Sequence, residues 1–347
     1  MLALRAALVA ACLLLFVRVL ARSDLAAAWT RIRGMGPEAL LVLVPFPFGL
    51  LCDAAAWKRL LAALGRRARL RTLFGIRLIT EAVNNTTPAG PVWSEAAAPV
   101  LVARRCGIEV ADAFAASTAK RWLIVRMHGA YVALAVALGA TSLAAASTAL
   151  LGGRHGLPIV VLASALGLVL FSLGIEWLAA RGGIAERTSG MLGRWSRVRA
   201  WIEEHRRHFL LADAQLRRLS DDRRAAVSSA ARVMMVWLAE GFETWLILHL
   251  LGANLDYAAV ISFDAALSIV RSAAVFAPAG IGVQDAGYLA VLEAYGVPNA
   301  DAIGPAFVVV KRAKEALFIA IGLAMFVRLG MKRRQGLAQG EPAATQT

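Results

Sequence analysis

Acids, bases and amides sit inside the most apolar stretches of this 347-residue chain, and they gather around a short motif that occurs twice. Pro88-Ala89-Gly90, with Glu95 behind it, returns 190 residues later as Pro278-Ala279-Gly280 with Asp285 behind it. Glu81, Asn84 and Asn85 precede the first copy. Asp264, Ser268 and Arg271 precede the second at i, i+4 and i+7, which puts them on one helical face, and Gly282 and Gln284 lead into Asp285. Elsewhere Glu240 and Glu243 share a face one turn apart, and Lys311, Arg312, Lys314 and Glu315 crowd the start of another apolar segment. An ionised side chain at the centre of a membrane helix costs about 2.5 to 3.5 kcal/mol on insertion scales, so each of these needs a partner or a task.

Proline removes a backbone donor and glycine admits unusual backbone angles, so each Pro-Ala-Gly break leaves N–H and C=O groups free near those charges. Broken helices with acids and bases around them form the kind of polar cavity that accepts a charged head group. The residues expected to line it are Glu81, Asn84, Asn85, Pro88, Gly90, Glu95, Glu240, Glu243, Arg271, Pro278, Gly280, Gly282, Gln284, Asp285, Lys311, Arg312 and Glu315. The same charges could serve structure instead: Lys311 and Glu315 stand at i, i+4, and Arg271 could neutralise Asp264, Asp285 or a glutamate.

Other chemistries find less support. The five histidines show no metal-ligand spacing, and Cys12, Cys52 and Cys106 lie far apart, so neither a metal nor a disulfide framework is expected. Gly280, Gly282 and Gly287 imitate a phosphate loop, but no strand precedes them. A membrane transferase acting on a lipid-linked donor would need paired acids near the membrane surface. Asp221-Asp222 is such a pair, followed by Arg223-Arg224, and helix capping explains it more simply.

What must position these residues is a bundle of membrane helices. The chain is 59% hydrophobic, and an apolar run of about 20 residues crosses the hydrocarbon core. Six such runs lie near residues 4–21, 38–56, 122–147, 158–180, 229–251 and 304–328. The first is read as an uncleaved helix rather than a signal peptide. The net charge of +15 is concentrated at segment ends, which points to topology and anionic lipid rather than nucleic acid. Basic residues at 58–71, 194–224 and 332–334 place those connections and both termini in the cytoplasm, while Arg31 and Arg33 run against the scheme.

The apolar stretches 72–105 and 258–295, each broken at its Pro-Ala-Gly, are then expected to be re-entrant hairpins entering from opposite faces, an inverted repeat. Within one residue of the same offset, Gly107-Ile108 matches Gly296-Val297, Asp112-Ala113 matches Asp301-Ala302, and Lys120-Arg121 matches Lys311-Arg312. The expected fold is therefore all-α: a single polytopic domain over residues 1–335, with repeat units at 72–147 and 258–328. A basic cytoplasmic segment at 181–228 and a disordered tail at 336–347 complete it. Within that segment, residues 191–220 read equally as an interfacial amphipathic helix or as a connector packed on helix ends.

Phe242-Glu243-Thr244-Trp245, the run from Val270 to Tyr288 that contains Arg271 and Pro278-Ala279-Gly280, and Val310-Lys311-Arg312 together resemble the hopanoid-biosynthesis-associated membrane proteins. These belong to a flippase-like superfamily that includes the transmembrane region of lysylphosphatidylglycerol synthase. Glu81 to Asn85, Pro88 and Glu95 are similar to the family's first motif, although Trp93-Ser94 stands where Gly-Gly is usual and Asp285 where Glu is usual. The resemblance implies movement or delivery of lipids across or within the bacterial inner membrane by a non-enzymatic lipid translocase or lipid-transport protein with no cofactor, its partners being membrane lipids, either hopanoids or lipids with anionic or modified head groups. Self-association and a non-transporting scaffold role stay open.

Overall fold

Residues 25–87, 90–181, 206–273 and 283–338 are described by the computed structural model. The span expected at 4–21, Pro88, Pro278, Gly280, Gly282, the Arg271 side chain and the chain after 338 lie outside that description. Every regular element among the described residues is a helix, the form in which a single segment crossing hydrocarbon satisfies its own backbone groups. Helix α1 is Leu25–Gly34, followed by a 3₁₀ helix, Gly36–Leu43. Then come α2 (Pro45–Ala63), α3 (Leu70–Thr86), α4 (Gly90–Cys106), α5 (Val110–Leu138), α6 (Ala140–Leu151) and α7 (Gly156–Ala180). The second half contains α8 (Arg206–Asp221), α9 (Arg223–Leu250), α10 (Tyr257–Ala273), α11 (Val283–Ala294) and α12 (Ala300–Ala338).

Four of these segments are long and apolar enough to cross a membrane: Gly36–Ala63, Val110–Leu138, Gly156–Leu178 and Arg223–Leu250. Helix α12 has the length but carries Lys311, Arg312, Lys314 and Glu315 in its first half. The span expected at 122–147 is instead α5, which starts at Val110, and a separate α6 after Gly139. Its polar first turns, expected to lie outside the span, stay helical because Asp112 and Lys120 are buried in ion pairs with Arg66 and Asp53. Helix α8 packs on α5 and α7 and buries Ala212, Leu216 and Leu219, which favours the connector reading over an interfacial helix for its residues.

The repeat extends to whole elements. Helices α2 to α5 return as α9 to α12, and a shift of 190 carries the first residue of α5, Val110, onto the first residue of α12, Ala300. Matching turns end in left-handed glycines: Gly65 (φ 74°) and Gly252 (φ 86°) after α2 and α9, Gly107 (φ 62°) and Gly296 (φ 67°) after α4 and α11. Packing is reciprocal as well. Helix α12 lies on α3, α5 lies on α10, and α2 lies on α9.

Helices in lipid approach closely where side chains are small. Gly322 of α12 faces the Leu78 carbonyl and Ala82 of α3, so any Cβ there would collide with backbone. Gly322→Leu is expected to destabilise the protein by about 2 kcal/mol through overpacking. The lipid-facing Gly167→Leu, where a Cβ meets nothing within 4 Å, should leave unfolding in detergent unchanged. Equal effects at the two sites would mean that α12 and α3 are not in contact.

Candidate functional site

A cavity of about 300 Å³ lies between the two halves. Its walls come from α2 (Phe46, Gly49, Asp53), α3 (Arg77, Glu81, Asn85), α4 (Glu95), α5 (Arg121, Ile124) and α9 (Trp237, Glu240, Glu243). Helices α11 (Gln284) and α12 (Lys311, Lys314, Glu315, Phe318) close it. The local spacing explains this convergence: Arg77, Glu81 and Asn85 stand at i, i+4 and i+8, and Lys311, Lys314, Glu315 and Phe318 share one face. Carboxylates outnumber cations in the lining, with Asp53, Glu81, Glu95, Glu240, Glu243 and Glu315 against Arg77, Arg121, Lys311 and Lys314.

Two buried lysine–carboxylate pairs tie the last helix of each half to a central one. Lys120 on α5 donates to Asp53 on α2 at 2.8 Å, and Arg77 pairs with the same carboxylate oxygen. Lys314 on α12 donates to Glu243 on α9 at 2.5 Å. Asp53 and Glu243 are 190 residues apart, the offset of the motif itself. A second set repeats likewise: Arg121 pairs with Glu95 at 3.1 Å, and Arg312 pairs with Asp285 at 2.7 Å. The copies differ in access. Glu95 and Arg121 are 38% and 48% exposed, whereas Asp285 is fully buried and Arg312 is 19% exposed.

Of the expected residues, Glu81, Asn85, Glu95, Glu240, Glu243, Gln284, Lys311 and Glu315 line this cavity. Asn85 donates to Glu81 at 3.1 Å, and Arg77 reaches Glu81 at 3.4 Å and Thr80 at 3.0 Å. Asn84 and Gly90 are not in the lining; they hold the α3–α4 turn, where Gly90 abuts the Asn84 backbone. Asp285 and Arg312 also stand outside the lining. Lys311 and Glu315 do not pair: Lys311 donates to Thr244 at 3.5 Å and Tyr288 at 3.4 Å, while Glu315 takes Arg312 at 2.8 Å. Gln284 donates to the same Tyr288 hydroxyl at 2.6 Å.

The expected set lacked Asp53, Arg77, Arg121, Lys314, Phe46 and Trp237. Two signals for them were present: the shared offset of Asp53 and Glu243, and the i, i+4 spacing of Arg77 and Glu81. Asp222, of the acid pair that a transferase would need, accepts from the Ala225 N–H at 2.8 Å and caps α9.

Comparison with known families gives one match: the model of the lysylphosphatidylglycerol synthase TM region covers residues 2–322. No curated protein and no solved structure matches the chain.

Proposed function

This chain belongs to the family of the lysylphosphatidylglycerol synthase transmembrane region, and we propose that it is a lipid translocase that carries polar head groups through the cavity between its two halves. The observation that supports this most is the cavity itself, where both halves place charged side chains against one space: Asp53, Arg77, Glu81, Glu95 and Arg121 from the first, Glu240, Glu243, Lys311, Lys314 and Glu315 from the second. A head group entering hydrocarbon loses its hydration, and fixed acids, bases and amides replace those water contacts. The mixed lining suits a head group with both donors and acceptors, such as a hopanoid polyol or an anionic or modified phospholipid. The hairpins α3–α4 and α10–α11 enter from opposite faces in this reading, and alternating exposure of the cavity moves the lipid across. The protein works in the bacterial inner membrane with both termini in the cytoplasm, and the lipid is transported without chemical change.

The exposed pair Glu95–Arg121 gives the cleanest test, because such pairs contribute only about 0 to 1 kcal/mol to stability. Glu95→Ala and Arg121→Ala should therefore fold normally. Losing a charged hydrogen-bond partner for the head group should weaken lipid binding about tenfold, as read by native mass spectrometry of purified protein. Binding that neither substitution changes would overturn the assignment of this cavity.

A further inference from the structure

The cavity is at the small end of the roughly 300 to 1,000 Å³ typical of small-molecule sites, so it has room for a head group and not for acyl chains. Chains attached to a head group held there must leave sideways between two helices. Two aromatic pairs stand at the candidate exits, and the repeat relates them. On one side Phe46 of α2 meets Phe318 of α12, ring centroids 4.7 Å apart and tilted by 43°. On the other, Trp237 of α9 stacks on His128 of α5 at 4.0 Å and 11°. Positions 46 and 318 fall at 236 and 128 after the 190-residue shift, within one residue of Trp237 and on His128.

The equivalence stops at the packing. Helices α5 and α9 lie against each other, and Trp237 Nε1 donates to the Ile124 carbonyl at 3.3 Å, so that exit is held by a hydrogen bond as well as a stack. Helices α2 and α12 are not closely packed, and neither ring of Phe46 and Phe318 can hydrogen-bond. Both phenylalanines line the cavity and are partly exposed, with Phe48 and Leu317 exposed beside them. Lys314 sits 4.8 Å from the Phe46 ring, so a head group that contacts the Lys314–Glu243 pair also touches what holds Phe46.

We propose that Phe46 and Phe318 form a lateral door between α2 and α12 through which the acyl chains pass while the head group crosses the cavity, and that the Trp237–His128 side stays shut. This rests on the translocase reading. The test uses full-length protein with Cys12, Cys52 and Cys106 replaced by serine, in vesicles containing phosphatidylglycerol labelled on one acyl chain, with leaflet exchange read by dithionite bleaching. Joining Phe46→Cys to Phe318→Cys with a short bis-methanethiosulfonate reagent should slow exchange about tenfold, and reduction should restore it. The same bridge between His128→Cys and Trp237→Cys should change the rate less than about twofold. Phe318→Ala, which widens the gap without any reagent, should raise the rate and decides the matter if the cysteine pair does not fold.

Exchange that persists through the 46–318 bridge, equal blockage by both bridges, or a slower Phe318→Ala variant would overturn the door and leave the translocase reading standing. Absence of exchange by the unbridged wild type would remove both.

Discussion

Lys314→Met is expected to destabilise the folded protein by about 3 to 5 kcal/mol, the range for breaking a buried ion pair from one side. Lys314 is 6% exposed and Glu243 is 2% exposed, and they meet at 2.5 Å. Methionine fills much of the lysine volume, so the loss comes from the carboxylate left without its partner. Lys311 donates instead to Thr244 and Tyr288. Glu243→Leu alone should cost a similar amount by stranding the lysine. The double substitution should recover most of the loss, since an apolar pair of similar volume needs no counter-charge. Unfolding of the four proteins in mixed detergent micelles measures this directly. Additive losses would mean that the two side chains do not act as a pair.

Gly90→Val should be worse still for the site, because it attacks the hairpin that presents Glu81, Asn85 and Glu95. A Cβ at position 90 would fall on the Asn84 carbonyl, and backbone cannot yield as a flexible side chain can. The expected cost is about 3 kcal/mol or more, with Gly90→Ala losing stability in the same direction. Gly107→Ala provides the comparison: its Cβ meets nothing, and only the left-handed backbone (φ 62°) resists it. That change should cost about 1 to 2 kcal/mol. Wild-type stability of Gly90→Ala would mean that α3 and α4 do not approach as closely as described.

Much of this arrangement could be read from residue patterns, and the reasons are physical. The 190-residue offset predicts paired helix starts because a duplicated chain keeps its turn glycines, and Gly107 and Gly296 mark the same corner in both halves. Eight cavity residues are legible because ionisable and amide side chains in apolar sequence stand out energetically. Asp53 and Arg77 were harder. Each lies near basic or polar sequence that resembles a segment end, and only the fold brings Lys120, 67 residues away in sequence, onto Asp53. The start of α5 is hidden for the same reason, since the pairs of Asp112 with Arg66 and of Lys120 with Asp53 join residues far apart in sequence. Aromatic residues such as Phe46, Trp237 and Phe318 do not stand out energetically in a chain this apolar, and only the 190-residue shift relates them.

The central claim is that a lipid head group crosses the membrane through the cavity between the two halves. Leaflet exchange in reconstituted vesicles tests it most directly, comparing wild type with Glu95→Ala/Arg121→Ala, a change at the exposed pair in the cavity wall. The account predicts exchange by the wild type well above protein-free vesicles, and about tenfold slower exchange by the folded variant. Wild-type exchange no faster than in empty vesicles, or an equal rate in the variant, would contradict it.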